Sequence, residues 1–265
     1  MAVVVAAVDL GDSTDRVLRH AAGFARVLSA SLRIVHVTSD GSDAQQKVAD
    51  YLEAHSPYEV DLGAVDIVVR SGRVSEMVVR EAIESSASLI VMGSRNHGLA
   101  RFLIGSTSDA VLRTTTVPVL LVPPIAMDIV NLGDARLTTG PVLAAVDLAD
   151  PNGLQLTMAS RLAAVAGQNL LLMTVAQRKL TDQEASAQLR ERAHGLEPLR
   201  PHSLIVRRGD VPEEISRCAA TEDAGLVVMG LRSRPRGTPG VIASAVLRTN
   251  RAFVLAVPAA PTSSP

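Results

Sequence analysis

Short hydrophobic runs alternate with longer amphipathic segments along the whole chain. The runs at residues 3–8, 89–92 and 117–122 contain almost no polar side chain, which is typical of strands buried on both faces of a parallel sheet. The predicted strands cover residues 3–8, 32–37, 64–69, 89–92 and 117–122, and the predicted helices cover residues 16–28, 45–54, 74–86 and the segment after Gly105. Strands and helices that alternate in this way predict an α/β fold with a parallel sheet and right-handed crossovers.

The second half of the chain repeats the first. VLAAVDL at 142–148 echoes VVAAVDL at 4–10, and AGLVVMG at 224–230 echoes ASLIVMG at 87–93. RRGDVPEEISRCA at 207–219 echoes RSGRVSEMVVREA at 70–82 in the same order. A repeat of this length means two whole domains and not a solenoid. We therefore predict domains at 1–123 and 141–258, a linker at 124–140 that lacks periodicity, and a disordered Pro- and Ser-rich tail at 259–265.

Composition excludes several functional classes. The chain has 265 residues, a net charge of −1, 2% aromatic residues and no Trp. Neither a basic surface nor stacking platforms for nucleic acid are expected from these values. The single cysteine, Cys218, excludes an internal disulfide, and we expect it to be a small buried hydrophobe. No apolar run is long enough for a membrane span, and no basic segment precedes the first strand, so a cytoplasmic protein is expected.

A glycine-containing loop follows the predicted strand at 89–92. Gly93, Gly98 and Gly105 lie in it, and the residues Ser106, Thr107, Ser108 and Asp109 that come next are typical of a helix start. Glycines let the backbone approach a ligand closely, and the N–H groups at a helix start favour an anion. The arrangement predicts a phosphate site, and its alternative is an ordinary strand-to-helix connection with glycines at turns.

This loop resembles the nucleotide loop of the universal stress protein family, whose ATP-binding members carry G-x2-G-x9-G-[S/T]. Gly93 matches the first glycine, and Gly105 with Ser106 matches the closing pair. Asn96 stands where the second glycine is expected, and the loop is one residue shorter. Asn tolerates left-handed backbone better than most residues. An Asp at 9 and 147 and a Met-Gly pair at 92–93 and 229–230 extend the resemblance to both halves.

The resemblance implies two tandem universal-stress-type (HUP-like) domains. Each is an open five-stranded parallel sheet of order 3-2-1-4-5 with helices on both faces. The order reverses between strands 1 and 4, where such sheets bind ligands, and this places Asp9 beside Gly93. It also implies that the two fifth strands pair within one chain as a pseudo-dimer.

The resemblance further implies ATP with Mg²⁺ as ligands. The N–H groups around Gly98, Gly105 and Ser106 would face phosphates, and the adenine would lie near Val37. Asp9 would contact ribose or hold Mg²⁺, and its alternative role is a turn carboxylate. Arg95 and Arg101 would neutralise phosphate charge or remain solvated at the surface, while His97, His36 and Cys218 are expected to be structural. The full candidate set is Asp9, Val37, Met92, Gly93, Arg95, Gly98, Gly105, Ser106 and Thr107.

The second domain has a weaker loop. Its stretch from Gly230 to Gly240 is two residues shorter, Val241 replaces the serine, and Pro235 and Pro239 lack N–H donors. Three arginines, at 232, 234 and 236, keep it basic. We therefore expect ATP in the first domain and not in the second.

These features favour an ATP-binding regulatory protein of the stress response without dedicated catalysis. No Walker lysine and no catalytic triad can be recognised, and an adenylating enzyme would need a second substrate pocket. The alternative is a universal stress protein that has lost nucleotide binding and acts as a protein-interaction module. The expected partners are an adenine nucleotide, a second copy of the chain and other proteins, but neither nucleic acid nor a membrane.

Overall fold

The computed structural model divides the chain into two units, Met1–Thr138 and Thr139–Pro265. It describes residues 2–38, 43–55, 65–94, 105–123, 128–131, 136–137, 139–150, 153–231, 243, 246–247 and 252–259. The first unit contains β1 (Val3–Val8), α1 (Thr14–Val27), β2 (Ser31–Thr38), α2 (Ala44–His55), β3 (Asp66–Ser71), α3 (Val74–Glu84), β4 (Ala87–Gly93), α4 (Ser106–Thr114), β5 (Val119–Val122), β6 (Val130–Asn131) and β7 (Arg136–Leu137). The second contains β8 (Val142–Ala145), α5 (Leu154–Ala166), β9 (Leu170–Val175), α6 (Asp182–Ala193), β10 (Ser203–Arg207), α7 (Val211–Thr221), β11 (Leu226–Leu231) and β12 (Phe253–Pro258).

The sheet of the first unit has the predicted order. β1 pairs in parallel with β2 on one side and β4 on the other, β3 pairs with β2, and β5 pairs with β4. Its central strands are almost wholly buried, because residues such as Val4, Val5 and Ala6 have no exposed surface. Continuous apolar strands are needed where helices cover a parallel sheet. The 3-2-1-4-5 arrangement that the family resemblance implies is confirmed.

The second unit repeats this order with its own strands. β8 pairs with β9 and β11, β10 pairs with β9, and β12 pairs with β11, all in parallel. The duplication in sequence is therefore a duplication in fold. The described helices include none that is both long and apolar enough to cross a membrane.

The segment predicted to be a linker contains a short antiparallel pair. β6 and β7 lie within 124–140 and belong to the first unit. They pack on α1 at Gly23, where an ideal Cβ would lie 2.6 Å from the Cβ of Val130. Glycine is therefore required at this contact by close approach and not by backbone angle. Strands of two residues have no periodicity, so the sequence pattern did not predict them.

A buried carboxylate joins three elements of the first unit. The side chain of Glu81 on α3 is 1% exposed and accepts from Arg33 Nη1 on β2 at 2.8 Å. It also accepts from Arg70 Nε on β3 at 2.7 Å and from a second nitrogen of that guanidinium. We refer to Arg33, Arg70 and Glu81 as the Glu81 cluster. Both guanidinium groups remain partly exposed, so this carboxylate is the buried charge that they neutralise.

Candidate functional site

A cleft of about 270 Å³ opens at the carboxyl ends of the strands of the first unit. It lies where β1 meets β4, which is the point of strand-order reversal predicted to bind ligand. The candidate residues Asp9, Val37, Met92, Gly93 and Thr107 line it. The remaining lining residues are Ala7, Val8, Ser13, Thr14, Val17, Val35, Val74, Val78 and Ser108.

Asp9 forms the turn that leads from β1 into α1. Its Oδ1 accepts from the N–H of Gly11 at 2.9 Å and from Thr14 Oγ1 at 3.3 Å. Leu10 between them has a φ of 60°, a left-handed conformation that is costly for a residue with a side chain. The turn role that we considered for Asp9 is therefore present. The same side chain also lines the cleft and is exposed. Asp9 can therefore stabilise the turn and still contact a ligand in the cleft.

Gly93 lets both neighbouring helices approach the end of β4. An ideal Cβ on Gly93 would lie 3.1 Å from Ser13 Oγ at the start of α1. On the other side, Ser108 Oγ on α4 donates to the carbonyl of Gly93 at 2.9 Å. The start of each helix is thus held beside the same glycine. Two helix N-termini therefore contribute partial positive charge to one cleft.

Gly105 is the N-cap residue of α4. Its φ is −59° and its ψ is 149°, so this glycine does not adopt a left-handed conformation. It is buried, and its N–H donates to the carbonyl of Ser94 at 3.3 Å. No side chain caps α4, which leaves the N–H groups of its first turn available to a ligand. Ser106 is exposed at this helix start, while Arg95, Asn96, His97, Gly98 and Arg101 lie outside the described residues.

The opposite wall of the cleft is apolar. Val35 and Val37 on β2 and Val74 and Val78 on α3 supply it. Such a wall suits a flat, weakly polar group such as a nucleobase. His36, between the two valines of β2, is bonded through Nδ1 to the carbonyl of Val8 at 3.0 Å, in agreement with the structural role predicted for it.

The sequence reasoning missed three hydroxyl side chains in the cleft. The sequence pattern assigns Ser108 only to a helix start and gives Ser13 and Thr14 no ligand role. Their common signal is position: each lies within one turn of a helix start that follows a strand at the reversal point. Tyr51 on α2 was also missed, and its hydroxyl donates to Asp15 Oδ1 at 3.0 Å behind the turn that follows Asp9.

The second unit keeps the turn but changes the cleft. Asp147 Oδ1 accepts from the N–H of Ala149 at 3.0 Å, as Asp9 accepts from Gly11. Gln155 follows Asp147 at the spacing at which the cleft residue Val17 follows Asp9. Its side chain is buried, and an ideal Cβ on Gly230 would lie 3.4 Å from its Cδ. A polar amide therefore occupies the place of an apolar side chain here. The loop with Arg232, Arg234, Arg236, Pro235, Pro239, Gly240 and Val241 lies outside the described residues.

The described ranges contain neither a metal-binding cluster of side chains nor a reactive cysteine. No group of three His, Cys, Asp or Glu side chains converges there in a way that could hold a metal ion. Cys218 is buried, as predicted, and its burial raises the pKa of the thiol to about 11. A thiol protonated at neutral pH is a poor nucleophile.

Comparison with known proteins connects the first unit to one family. Residues 1–123 match the Universal stress protein family. Universal stress protein Slr1230 from Synechocystis sp. is 31% identical over 118 residues, which is 44% of this chain and 41% of that protein. Universal stress protein G from Salmonella typhimurium is 35% identical over 65 residues, which is 24% of this chain and 46% of that protein. The matched stretches therefore span less than half the length of these curated relatives.

A solved structure extends the similarity in fold to both units. The crystal structure of a universal stress protein from Archaeoglobus fulgidus DSM 4304 superposes with a TM-score of 0.71. The superposition covers 98% of this chain and 97% of that chain at 20% sequence identity. At that identity the likeness concerns the fold and not the ligand.

Proposed function

We propose, on the premise that residues 1–123 match the Universal stress protein family, that the first unit binds ATP as a regulatory ligand in the stress response. The observation that supports the proposal is the cleft between β1 and β4. It combines a carboxylate, two helix N-termini and an apolar wall in about 270 Å³. Helix N-termini favour phosphate and an apolar wall favours a base.

The cleft residues divide into two groups that match the two ends of a nucleotide. Val35, Val37, Val74 and Val78 would contact the adenine, and the first-turn N–H groups of α4 would face the phosphates. Asp9 would contact the ribose or help to hold Mg²⁺. Mg²⁺ commonly takes one or two carboxylates and completes its shell with phosphate oxygens and water, so a single carboxylate fits this role.

Binding without dedicated catalysis is the second part of the proposal. Among the described lining residues, Asp9 is the one ionisable side chain. General acid–base chemistry usually needs a positioned partner of different pKa, and the lining offers hydroxyls and apolar groups instead. We therefore propose that bound ATP changes the state of the protein and is not turned over by a dedicated mechanism.

Changing Asp9 to Asn is the sharpest test of this site. The amide oxygen of Asn retains an acceptor for the N–H of Gly11, so the turn is expected to survive. Loss of the charge removes a contact to ribose or Mg²⁺ and is expected to weaken ATP binding about ten- to a hundredfold. Calorimetry with ATP and Mg²⁺ measures this change in the whole chain.

Asp147→Asn is the matched control, because Asp147 forms the same turn in the second unit. We expect one ATP per chain in the wild type and no effect of Asp147→Asn. Equal losses from the two substitutions, or two equivalent sites, would contradict binding by the first unit alone. No binding at millimolar ATP would instead favour the protein-interaction alternative.

Gly105→Val tests the phosphate end of the site separately. A β-branched side chain at the start of α4 would lie where the backbone must approach phosphate. We expect ATP affinity to fall at least about tenfold while adenosine, which lacks phosphate, binds with unchanged affinity. A parallel fall for ATP and adenosine would show that the variant has lost its fold and not a phosphate contact.

A further inference from the structure

A second pocket lies on the second unit. It has a volume of about 210 Å³ and is lined by Arg190, Ala193, His194, Gly195, Arg200, Pro201 and Leu204. These residues belong to the last turn of α6, the connection after it and the start of β10. The pocket therefore lies at the amino end of β10, whereas the position equivalent to the ATP cleft lies at the carboxyl ends of the strands.

The charge of this pocket is unbalanced. Arg190, His194 and Arg200 line it, and no carboxylate is among its described lining residues. In the described ranges, neither Arg190 nor Arg200 forms an ion pair or a side-chain hydrogen bond, whereas Arg208 on the same unit pairs with Asp182 at 2.7 Å. Two guanidinium groups that share a concave surface without a counter-charge attract an anion.

The C-terminal end of a helix normally disfavours a bound anion, because its free carbonyl groups carry partial negative charge. Here most of those carbonyls are engaged. The N–H of His194 donates to the carbonyls of Arg190 and Glu191 at 3.0 and 3.1 Å, and the N–H of Leu196 donates to the carbonyl of Ala193 at 3.3 Å. Three of the last four carbonyls of α6 are thus bonded within the protein, which weakens the opposition of the helix end to an anion.

The backbone that carries Arg200 is fixed on both sides. Leu199 exchanges hydrogen bonds with Ser160, whose hydroxyl accepts from the N–H at 3.0 Å and donates to the carbonyl at 2.9 Å. Ser160 itself has no exposed surface. After Arg200, the N–H of His202 donates to the carbonyl of Leu170 at 2.7 Å. The base of the Arg200 side chain is therefore held in place before any ligand binds, which reduces the entropic cost of binding.

Gly195 keeps the opening clear. Its φ is 81°, which favours glycine, and an ideal Cβ there would meet nothing within 4 Å. The chain turns at this residue without a side chain over the pocket. A ligand can therefore approach the two arginines from solvent.

We propose that this pocket binds the phosphate group of a small phosphorylated molecule. Arginine presents paired donors that match the oxygens of phosphate, and His194 supplies a further donor. The volume of about 210 Å³ lies below the range of roughly 300–1,000 Å³ typical of sites for larger ligands. It suits a phosphate with few further atoms. This site does not depend on the ATP site of the first unit.

Titration of the ¹⁵N-labelled full chain with inorganic phosphate tests the proposal. We expect saturable shifts of the amide signals of His194, Gly195 and Leu204, and no such shifts with sodium chloride at the same ionic strength. Arg190→Gln and Arg200→Gln are each expected to raise the dissociation constant about tenfold, since each removes a charge-assisted contact. Both side chains are exposed, so folding should be retained.

Arg161→Gln is the matched control, because Arg161 is an exposed arginine on α5 outside this pocket. We expect it to leave phosphate binding unchanged. Shifts that do not saturate, shifts reproduced by chloride, or equal effects of Arg161→Gln and Arg200→Gln would overturn the proposal. Binding of an acidic peptide without binding of phosphate would overturn it as well.

Discussion

Replacement of Glu81 by Cys is expected to lower the free energy of unfolding of the first unit by about 1.5–3 kcal/mol, because it removes the charge-assisted hydrogen bonds that two partly exposed guanidinium groups donate. The Glu81 side chain is 1% exposed and neutralises both Arg33 and Arg70. Without it, Arg33 keeps only Asp66 and Arg70 keeps only Glu84 as an ion-pair partner, and both of these carboxylates are exposed. The loss of their shared acceptor and the repulsion between the two guanidinium groups both lower the stability of the first unit.

The second unit has the same fold but lacks the Glu81 cluster. Cys218 takes the place of Glu81 in the repeated segment, and Leu171 takes the place of Arg33, since Leu32 pairs with Val4 as Leu170 pairs with Val142. Both replacements are buried, with exposures of 1% and 4%. A buried ion pair can be exchanged for apolar residues at little cost, provided that both partners change together.

We therefore expect the two substitutions to be coupled. Arg33→Leu alone should cost less than Glu81→Cys, because Arg70 still neutralises Glu81. The double variant should be at least about 1 kcal/mol more stable than the sum of the single effects predicts. Urea unfolding followed by tyrosine fluorescence measures the cycle. The chain has no Trp, and its two tyrosines, Tyr51 and Tyr58, lie in the first unit.

Arg73→Leu is the control for charge removal, because Arg73 is exposed and pairs with the exposed Glu76 at the start of α3. Its effect should stay within about 0.5 kcal/mol and should add to that of Glu81→Cys. Strict additivity of Arg33→Leu and Glu81→Cys would mean that the two residues stabilise the unit independently, and this would refute the proposed coupling within the Glu81 cluster.

The fold could be predicted because its signals are local or repeated. Apolar runs such as that of β1 identify buried strands, and the repeated Met-Gly pairs mark the ends of β4 and β11. The contact of β6 with α1 could not be predicted in this way. It depends on Gly23, whose role appears only when Val130 lies against it. A glycine inside a helix gives no sign of its distant partner.

The candidate site was predictable in position and only partly in composition. The strand-order reversal, which the family resemblance implied, brings Asp9 and Gly93 together in the cleft. The sequence did not indicate the left-handed conformation of Leu10, since that conformation is rare outside glycine and asparagine. Ser108 was missed for another reason. Its hydroxyl bonds to the carbonyl of Gly93, a contact that needs the turn between them to be known.

His20 is the second residue whose replacement should have a large effect. It lies on α1 without exposed surface and holds the segment before β6. Nδ1 is 2.8 Å from the carbonyl of Arg16, which can only accept, so this nitrogen carries the proton. Nε2 then accepts from the N–H of Ile129 at 3.3 Å. The ring is therefore neutral when the segment is docked.

The surroundings of His20 oppose its protonation. Burial is the main cause, and the charges of Arg16 and Arg19 add to it, while the Arg16 carbonyl and Asp128 act in the opposite direction. Together they lower the pKa of His20 from 6.5 to about 4. Since the unfolded chain binds this proton more readily, the stabilisation is complete above pH 6.5 and is lost as the pH falls towards 4.

The first unit should therefore lose on the order of 3 kcal/mol of stability from this residue as the pH falls from 6.5 to about 4. His20→Met should remove that part of the pH dependence, and Met158 occupies the same position of α5 in the second unit. Near neutral pH the variant should lose about 1–3 kcal/mol, because the N–H of Ile129 loses its acceptor. Urea unfolding followed by tyrosine fluorescence at both ends of this pH range measures the difference.

His202→Met is the control, because it changes an exposed histidine and should alter neither the stability near neutral pH nor its loss on acidification. If His20→Met and the wild type lose the same stability on acidification, the protonation of His20 is not coupled to the docking of Ile129, and the acid sensitivity of the unit must come from its carboxylates.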